Sequence, residues 1–83
     1  MALTVYSTTW CGPCKRLKAQ LTREGISFRE VDIERDPSAA EFVMSVNNGN
    51  QTVPTVVIET PKGRVVRTNP SAREVKLLLE SAA

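Results

Sequence analysis

Residues 3–25 read LTVYSTTWCGPCKRLKAQLTREG, and this stretch decides the fold. It opens on alternating apolar and β-forming residues, which predict a short strand. Leucines at helical spacing then predict a helix over about residues 12–24, with Gly25 as the residue that ends it. The apolar face of this helix comprises Cys14, Leu17 and Leu21. Cys11 and Cys14 therefore lie where the strand gives way to the helix.

The following segment predicts a second strand and a second helix. Residues 26–33, ISFREVDI, are rich in apolar and β-forming types and predict the strand. The helix is expected to open at residues 36–38, with Ser38 and Glu41 spaced as a capping box. Residues 47–50, NNGN, are expected to end it. Its predicted apolar stripe is Ala39, Phe42, Val43 and Val46.

The last third of the chain predicts a hairpin and a third helix. Residues 55–58, TVVI, give the strongest strand pattern, and a turn at 61–63 leads to a return strand at 65–67. Asn69 is expected to cap the last helix, with Pro70 at its first position. The predicted inner face of that helix is Ala72, Val75, Leu78, Leu79 and Ala82. The order β-α-β-α-β-β-α predicts an α/β fold whose four-stranded mixed sheet is covered by three helices.

Length and composition narrow the function. The 83 residues allow one domain, 1–83, and 41% hydrophobic residues suit a globular protein. The absence of histidine excludes Ser-His-Asp and Cys-His catalysis and histidine-ligated metals. A net charge of +2 does not indicate a nucleic-acid partner. No apolar run is long enough for a membrane span, and no signal peptide is evident, so a cytoplasmic location is expected.

The position of the cysteine pair has chemical consequences. The first N–H groups of a helix are unpaired and, with the helix dipole, carry partial positive charge. Both effects stabilise a thiolate, so the pKa of the Cys11 thiol is expected to lie below its ordinary value. Cys14 lies one turn further along, on the apolar face, and is predicted to be the buried resolving cysteine. Cys11 is predicted to be the nucleophile.

Basic residues crowd the beginning of the same helix. Lys15, Arg16 and Lys18 stand where a helix dipole disfavours cations. One interpretation is a positive field that helps Cys11 to ionise and attracts anionic partners. The alternative is a solvated face whose long aliphatic stems cover apolar surface.

A cysteine pair at this spacing can also have other roles. A structural disulfide is not expected in a reducing compartment, and such a short loop constrains the unfolded chain little. An inert role in the core is possible for Cys14 alone, but it is a poor account of both cysteines. A metal or iron–sulfur site shared between two chains remains an alternative, since two pairs would supply four thiolates. The spacing and placement favour redox chemistry, with no metal bound.

Two motifs resemble the thioredoxin superfamily. Residues 10–14, WCGPC, match the thioredoxin active site, and residues 52–54, TVP, resemble the cis-proline loop of thioredoxins and glutaredoxins. The order of elements resembles the glutaredoxin core, which lacks the extra N-terminal strand and helix of thioredoxin. The resemblance covers the whole chain and implies a thioredoxin fold of glutaredoxin type. Gly12 and Pro13 depart from the Pro-Tyr or Gly-Tyr pair that is frequent in glutaredoxin-like enzymes.

A finer resemblance is to the mycoredoxins, glutaredoxin-like enzymes that work with mycothiol. It rests on residues 42–50, 52–55 and 68–72. The resemblance implies a thiol–disulfide oxidoreductase with no bound cofactor, and we expect the protein to be a monomer. Its co-substrate is expected to be a low-molecular-weight thiol, mycothiol rather than glutathione. Its partners are expected to be client proteins with mixed or internal disulfides and, as a further candidate, a flavoprotein reductase. The alternatives are a thioredoxin-like electron donor, of the ribonucleotide reductase type, and a dimeric iron–sulfur carrier.

The resemblance also implies a binding site for the small thiol. A cis Pro54 would present the backbone N–H and C=O of Val53 beside Cys11, whereas a trans proline would merely open an edge strand. Asn69 and Ser71 suit a hydroxyl-rich ligand, or they simply cap the last helix. The residues predicted to bind thiol or substrate are Trp10, Gly12, Pro13, Lys15, Thr52, Val53, Pro54, Asn69 and Ser71.

Overall fold

The computed structural model describes residues 2–82 and confirms the predicted order of elements. The strands and helices are β1 (Ala2–Ser7), α1 (Gly12–Arg23), β2 (Arg29–Asp32), α2 (Pro37–Val46), β3 (Thr55–Thr60), β4 (Gly63–Thr68) and α3 (Ala72–Ala82). The sheet order is β2-β1-β3-β4, with β1 parallel to β2 and both other pairs antiparallel. The predicted four-stranded mixed sheet with three helices is therefore confirmed.

Each face of the sheet carries its own apolar core. One core joins β1, β3, α1 and α3 through Leu3, Val5, Leu17, Leu21, Val56, Ile58 and Val75. The other lies under α2 and comprises Ile33, Ala39 and Val43, with Tyr6 and Phe42 packed against it. Alternation along β1 explains the division, because successive side chains of a strand point to opposite faces. The predicted position of Ala82 in the core lies outside the described side chains.

The second strand is shorter than predicted. It begins at Arg29, where it pairs with Thr4 of β1, and not at Ile26. The end of α1 explains the difference. Gly25, at φ +72°, donates its N–H to Thr22, and the N–H of Ile26 reaches back to the carbonyl of Leu21 at 2.9 Å. Ile26 therefore completes the helix terminus and packs on the core without joining the sheet.

Both predicted caps for α2 and α3 are wrong by a few residues. Asp36 caps α2, since its carboxylate accepts from the N–H groups of Ser38 and Ala39 at 3.1 and 3.2 Å. Ser38 lies inside the helix, so the predicted capping box does not form. Ser71 caps α3 by accepting from Glu74 N–H at 3.0 Å. Asn69 lies before that cap because its N–H is directed to the Pro54 carbonyl.

Truncation of Leu21 tests the larger core. Leu21 is fully buried between α1 and the sheet. Leu21→Ala is expected to lower the free energy of unfolding by about 2–5 kcal/mol, a large share of the stability of so small a domain. Leu77→Ala on α3 is the matched control, because Leu77 is 54% exposed. Urea denaturation of both variants checks this. Equal losses would contradict the assignment of the core.

No helix within residues 2–82 is both long enough and apolar enough to cross a membrane.

Candidate active site

Cys11 is the N-cap residue of α1. Its backbone is extended, and its sulfur accepts the backbone N–H of Cys14 at 3.1 Å. A disulfide joins Cys11 and Cys14, whose Cα atoms are 5.2 Å apart. The first turn of α1 carries no acidic side chain that would oppose a negative charge on this sulfur. The position is thus suited to hold a thiolate once the disulfide is reduced.

Both cysteines are buried, whereas the tryptophan that precedes them is exposed. Cys14 is completely buried, and Cys11 is 4% exposed in the disulfide form. Trp10 is 69% exposed directly before the pair. The buried position of Cys14 agrees with the predicted apolar face of α1. The exposed indole leaves a flat apolar surface next to the disulfide.

The 52–54 loop lies beside the disulfide, directly before β3. The Val53–Pro54 peptide bond is cis, as the resemblance implies, and Pro54 is buried. The Val53 carbonyl oxygen lies 3.8 Å from Cys11 Sγ. Backbone groups of Val53 therefore lie next to the Cys11 sulfur, where an extended ligand could pair with them as an added strand.

A cavity opens between the first turns of α1 and the corner that joins β4 to α3. Its volume is about 310 Å³. The lining residues are Pro13, Arg16, Leu17, Gln20, Asn69, Pro70 and Ser71. The structure thus brings Pro13, Asn69 and Ser71 of the predicted set together in one site. None of the residues that line this cavity carries a carboxylate. Asn69 is tied to the cis-proline loop, since its N–H donates to the Pro54 carbonyl at 2.7 Å.

Four residues of this cavity were not predicted from the sequence. They lie beside the predicted Pro13, Asn69 and Ser71, and they are Arg16, Leu17, Gln20 and Pro70. Three of them lie on α1 at spacings of three, four and seven from Pro13, which places them on one helical face. That spacing was the available signal. Gly12 and Lys15 are exposed at the start of α1 and do not line the cavity.

The basic cluster predicted on α1 does not act as a unit. Lys18 forms an ion pair with Glu30 of β2. Ser7 donates to the same carboxylate at 2.8 Å. The hydrogen bond from Lys18, and then that from Ser7, hold the pKa of Glu30 below its usual range. Because the Lys18 charge is compensated, Lys15 and Arg16 are the two members of this cluster that remain to supply a positive field at the start of α1.

Within the part of the chain that the structure describes, no three histidine, cysteine, aspartate or glutamate side chains cluster as a metal site.

A redox-active C-x-x-C pair at a helix N-terminus, facing a cis-proline loop, defines a protein of the thioredoxin-fold class. Comparisons with known proteins narrow the class. The glutaredoxin family profile matches residues 3–62. "Putative glutaredoxin Rv3198A" from Mycobacterium tuberculosis is 56% identical over 82 residues, covering 99% of this chain and 94% of its own length. Mycoredoxin 1 from Corynebacterium glutamicum is 38% identical, with 98% and 96% covered.

Solved structures agree with the fold. The NrdH-redoxin of Escherichia coli superposes with a TM-score of 0.76 at 23% identity, covering 94% of this chain and 95% of that one. A glutaredoxin from Archaeoglobus fulgidus gives a TM-score of 0.69 at 26% identity, with 95% and 87% covered.

The chain belongs to the glutaredoxin family. It is a thiol–disulfide oxidoreductase, and proteins of this family act with thiols and with client proteins that contain disulfides.

Proposed function

We propose that this protein reduces mixed disulfides between client proteins and mycothiol, with Cys11 as nucleophile and Cys14 as resolving cysteine. The observation that carries the proposal is the position of Cys11 Sγ. The sulfur accepts a helix N–H at 3.1 Å and lies 3.8 Å from the Val53 carbonyl. The N–H contact favours the thiolate form of Cys11. The Val53 contact supports pairing of an extended ligand with the backbone of the 52–54 loop beside this sulfur.

The reaction is a series of thiol–disulfide exchanges. The Cys11 thiolate attacks the small-thiol sulfur of the mixed disulfide, forms a bond to it and releases the client as a thiolate. A second small thiol then attacks the Cys11-bound thiol, which releases a small-thiol disulfide and restores Cys11. Alternatively Cys14, after losing its proton to solvent, attacks Cys11 Sγ. This step releases the small thiol and forms the Cys11–Cys14 disulfide, which two further thiols reduce.

The choice of mycothiol rests on the chemistry of the cavity. Asn69 and Ser71 offer amide and hydroxyl groups, and none of the residues that line the cavity is acidic. A ligand with an ammonium group would gain from a carboxylate there and would be repelled by Arg16, which lines the cavity. The hydroxyl groups of a sugar–inositol thiol can instead pair with the amide of Asn69 and the hydroxyl of Ser71. The similarity to Mycoredoxin 1 supports the same choice.

The test compares two mixed disulfides of one client protein, one carrying mycothiol and one carrying glutathione. The proposal expects kcat/KM to be at least about tenfold higher for the mycothiol adduct. Serum albumin modified at its single free cysteine is a suitable client, because the protein part is then identical. Equal or reversed preference would overturn the assignment of mycothiol while leaving the oxidoreductase activity in place.

A second candidate function is electron donation to an enzyme in the manner of thioredoxin. It is favoured by the WCGPC sequence together with the exposure of Trp10. Such a donor is reduced by a flavoprotein reductase and not by a small thiol. Coupling the protein to NADPH and a thioredoxin reductase separates the candidates. Rapid turnover there, with none in the presence of mycothiol, would favour the second.

A further inference from the structure

The side chain of Asn47, at the end of α2, joins three elements by hydrogen bonds. Its Nδ2 donates to the Val43 carbonyl at 2.7 Å and to Thr55 Oγ1 at 3.1 Å. Its Oδ1 accepts from Thr68 Oγ1 at 2.6 Å. One amide thus connects α2 with the beginning of β3 and the end of β4.

The direction of every hydrogen bond in this network is determined. The Val43 carbonyl can only accept, so Nδ2 must face it and Oδ1 must face Thr68. Thr55 accepts from Nδ2 and therefore directs its own hydroxyl hydrogen elsewhere. That hydrogen goes to the Thr52 carbonyl at 2.8 Å. Because Thr55 is fully buried, water cannot replace either of its partners.

The network ends next to two segments, the cis-proline loop beside Cys11 and the β4–α3 corner that lines the cavity with Pro13. Thr55 and Thr68 are directly opposite each other in the β3–β4 register. The Thr55 hydroxyl donates to the carbonyl of Thr52, and the next carbonyl along the chain, that of Val53, lies beside Cys11 Sγ. Thr68 precedes Asn69, whose N–H is bonded to the Pro54 carbonyl at 2.7 Å. The Asn47 amide therefore bonds to the strand ends next to the cis-proline loop and the β4–α3 corner, and it reinforces the direct bond between Asn69 N–H and the Pro54 carbonyl.

We propose that Asn47 is a positioning residue that holds these two segments in register for the small-thiol part of the substrate. The inference rests on the proposed function, which places the thiol against Val53 and Asn69. Asn47 does not contact the cysteines, and the N-cap hydrogen bond to Cys11 Sγ lies within α1. Removal of the network should therefore weaken substrate binding and leave the chemistry of the sulfur unchanged.

The experiment uses Asn47→Asp and Asn50→Asp as a matched pair. The first carboxylate cannot donate to Val43 or Thr55, so it breaks the network with almost no change in shape. The second adds the same charge in the same turn, where Asn50 Nδ2 donates only to the Asn47 backbone carbonyl. Asn47→Asp is expected to raise KM for a mixed disulfide about tenfold at unchanged kcat, the consequence of leaving a buried partner unsatisfied. Asn50→Asp is expected to stay within about twofold of the parent protein, since its side chain is exposed.

Three further variants guard against a purely structural effect. Thr55→Ser keeps the hydroxyl and should keep the parent KM, whereas Thr55→Val should raise KM as Asn47→Asp does. Thr68→Val removes only the donor to Oδ1 and serves if Asn47→Asp does not fold. Equal KM values for Asn47→Asp and Asn50→Asp, or a loss confined to kcat, would overturn the proposal.

Amide hydrogen exchange distinguishes failure of this inference from failure of the proposed function. Exchange of the Asn69 N–H reports on its bond to Pro54 whether or not any small thiol is turned over. Faster exchange in Asn47→Asp than in Asn50→Asp supports positioning even if mycothiol is not the substrate. Equal protection of this amide in the two variants would overturn it.

Discussion

Replacement of Cys11 by serine is expected to lower the rate of mixed-disulfide reduction by about a thousandfold or more, as removal of an attacking nucleophile does in other enzymes. A serine hydroxyl is not ionised near neutral pH and cannot form the intermediate disulfide. Serine is also a favoured N-cap residue, so its oxygen can accept the Cys14 N–H that Cys11 Sγ accepts in the parent protein. The loss should therefore come without unfolding.

The measurement follows release of mycothiol from a modified client, with circular dichroism as the control for folding. A Cys11→Ser variant that retained substantial reduction of the mixed disulfide would show that another group attacks. The assignment of Cys11 as nucleophile would then be wrong.

Replacement of Cys14 is expected to separate two activities. Without a resolving thiol, a client bound to Cys11 after attack on an internal disulfide can leave only when an external thiol arrives. Reduction of such a disulfide should fall by about a hundredfold, since exchange within one chain benefits from a high effective concentration. Reduction of a mixed disulfide needs only Cys11 and a second small thiol, so it should change by less than about threefold.

Two substitutions at this position are compared, because Cys14 is fully buried. Cys14→Ser buries a hydroxyl, and Cys14→Ala leaves a small void, so a shared kinetic effect reflects loss of the thiol and not either local cost. Insulin serves as the client with internal disulfides. Loss of both activities in both variants would show that the route through a second small thiol is not used.

The arrangement of the fold and the cysteine pair could be predicted because both depend on local pattern. Helical spacing of Cys14, Leu17 and Leu21 places the pair at a helix start, and the structure confirms it. The helix caps were harder to predict, because Asp36 and Ser38 are both good N-caps in sequence. The choice depends on which residue has an extended backbone, and that is Asp36, at φ −136°.

The Asn47 network could not be predicted from sequence for a different reason. Its partners Thr55 and Thr68 lie 8 and 21 residues away. They meet Asn47 only because the β3–β4 register places them opposite each other beside the end of α2. The cavity beside Pro13 could be predicted only in part. Local spacing along α1 indicates the residues on the helix side, whereas the close approach of the β4–α3 corner to that helix is a tertiary feature.

Titration of the Cys11 thiolate tests most directly whether the helix N-terminus activates this sulfur. In Cys14→Ser only one thiol remains, so ultraviolet absorbance of the thiolate reports on Cys11 alone. The backbone N–H of residue 14 lies 3.1 Å from this sulfur. Together with the dipole of α1, it is expected to hold the pKa of the Cys11 thiol below the ordinary value of about 8.5. A pKa at or above that value would contradict activation by the helix.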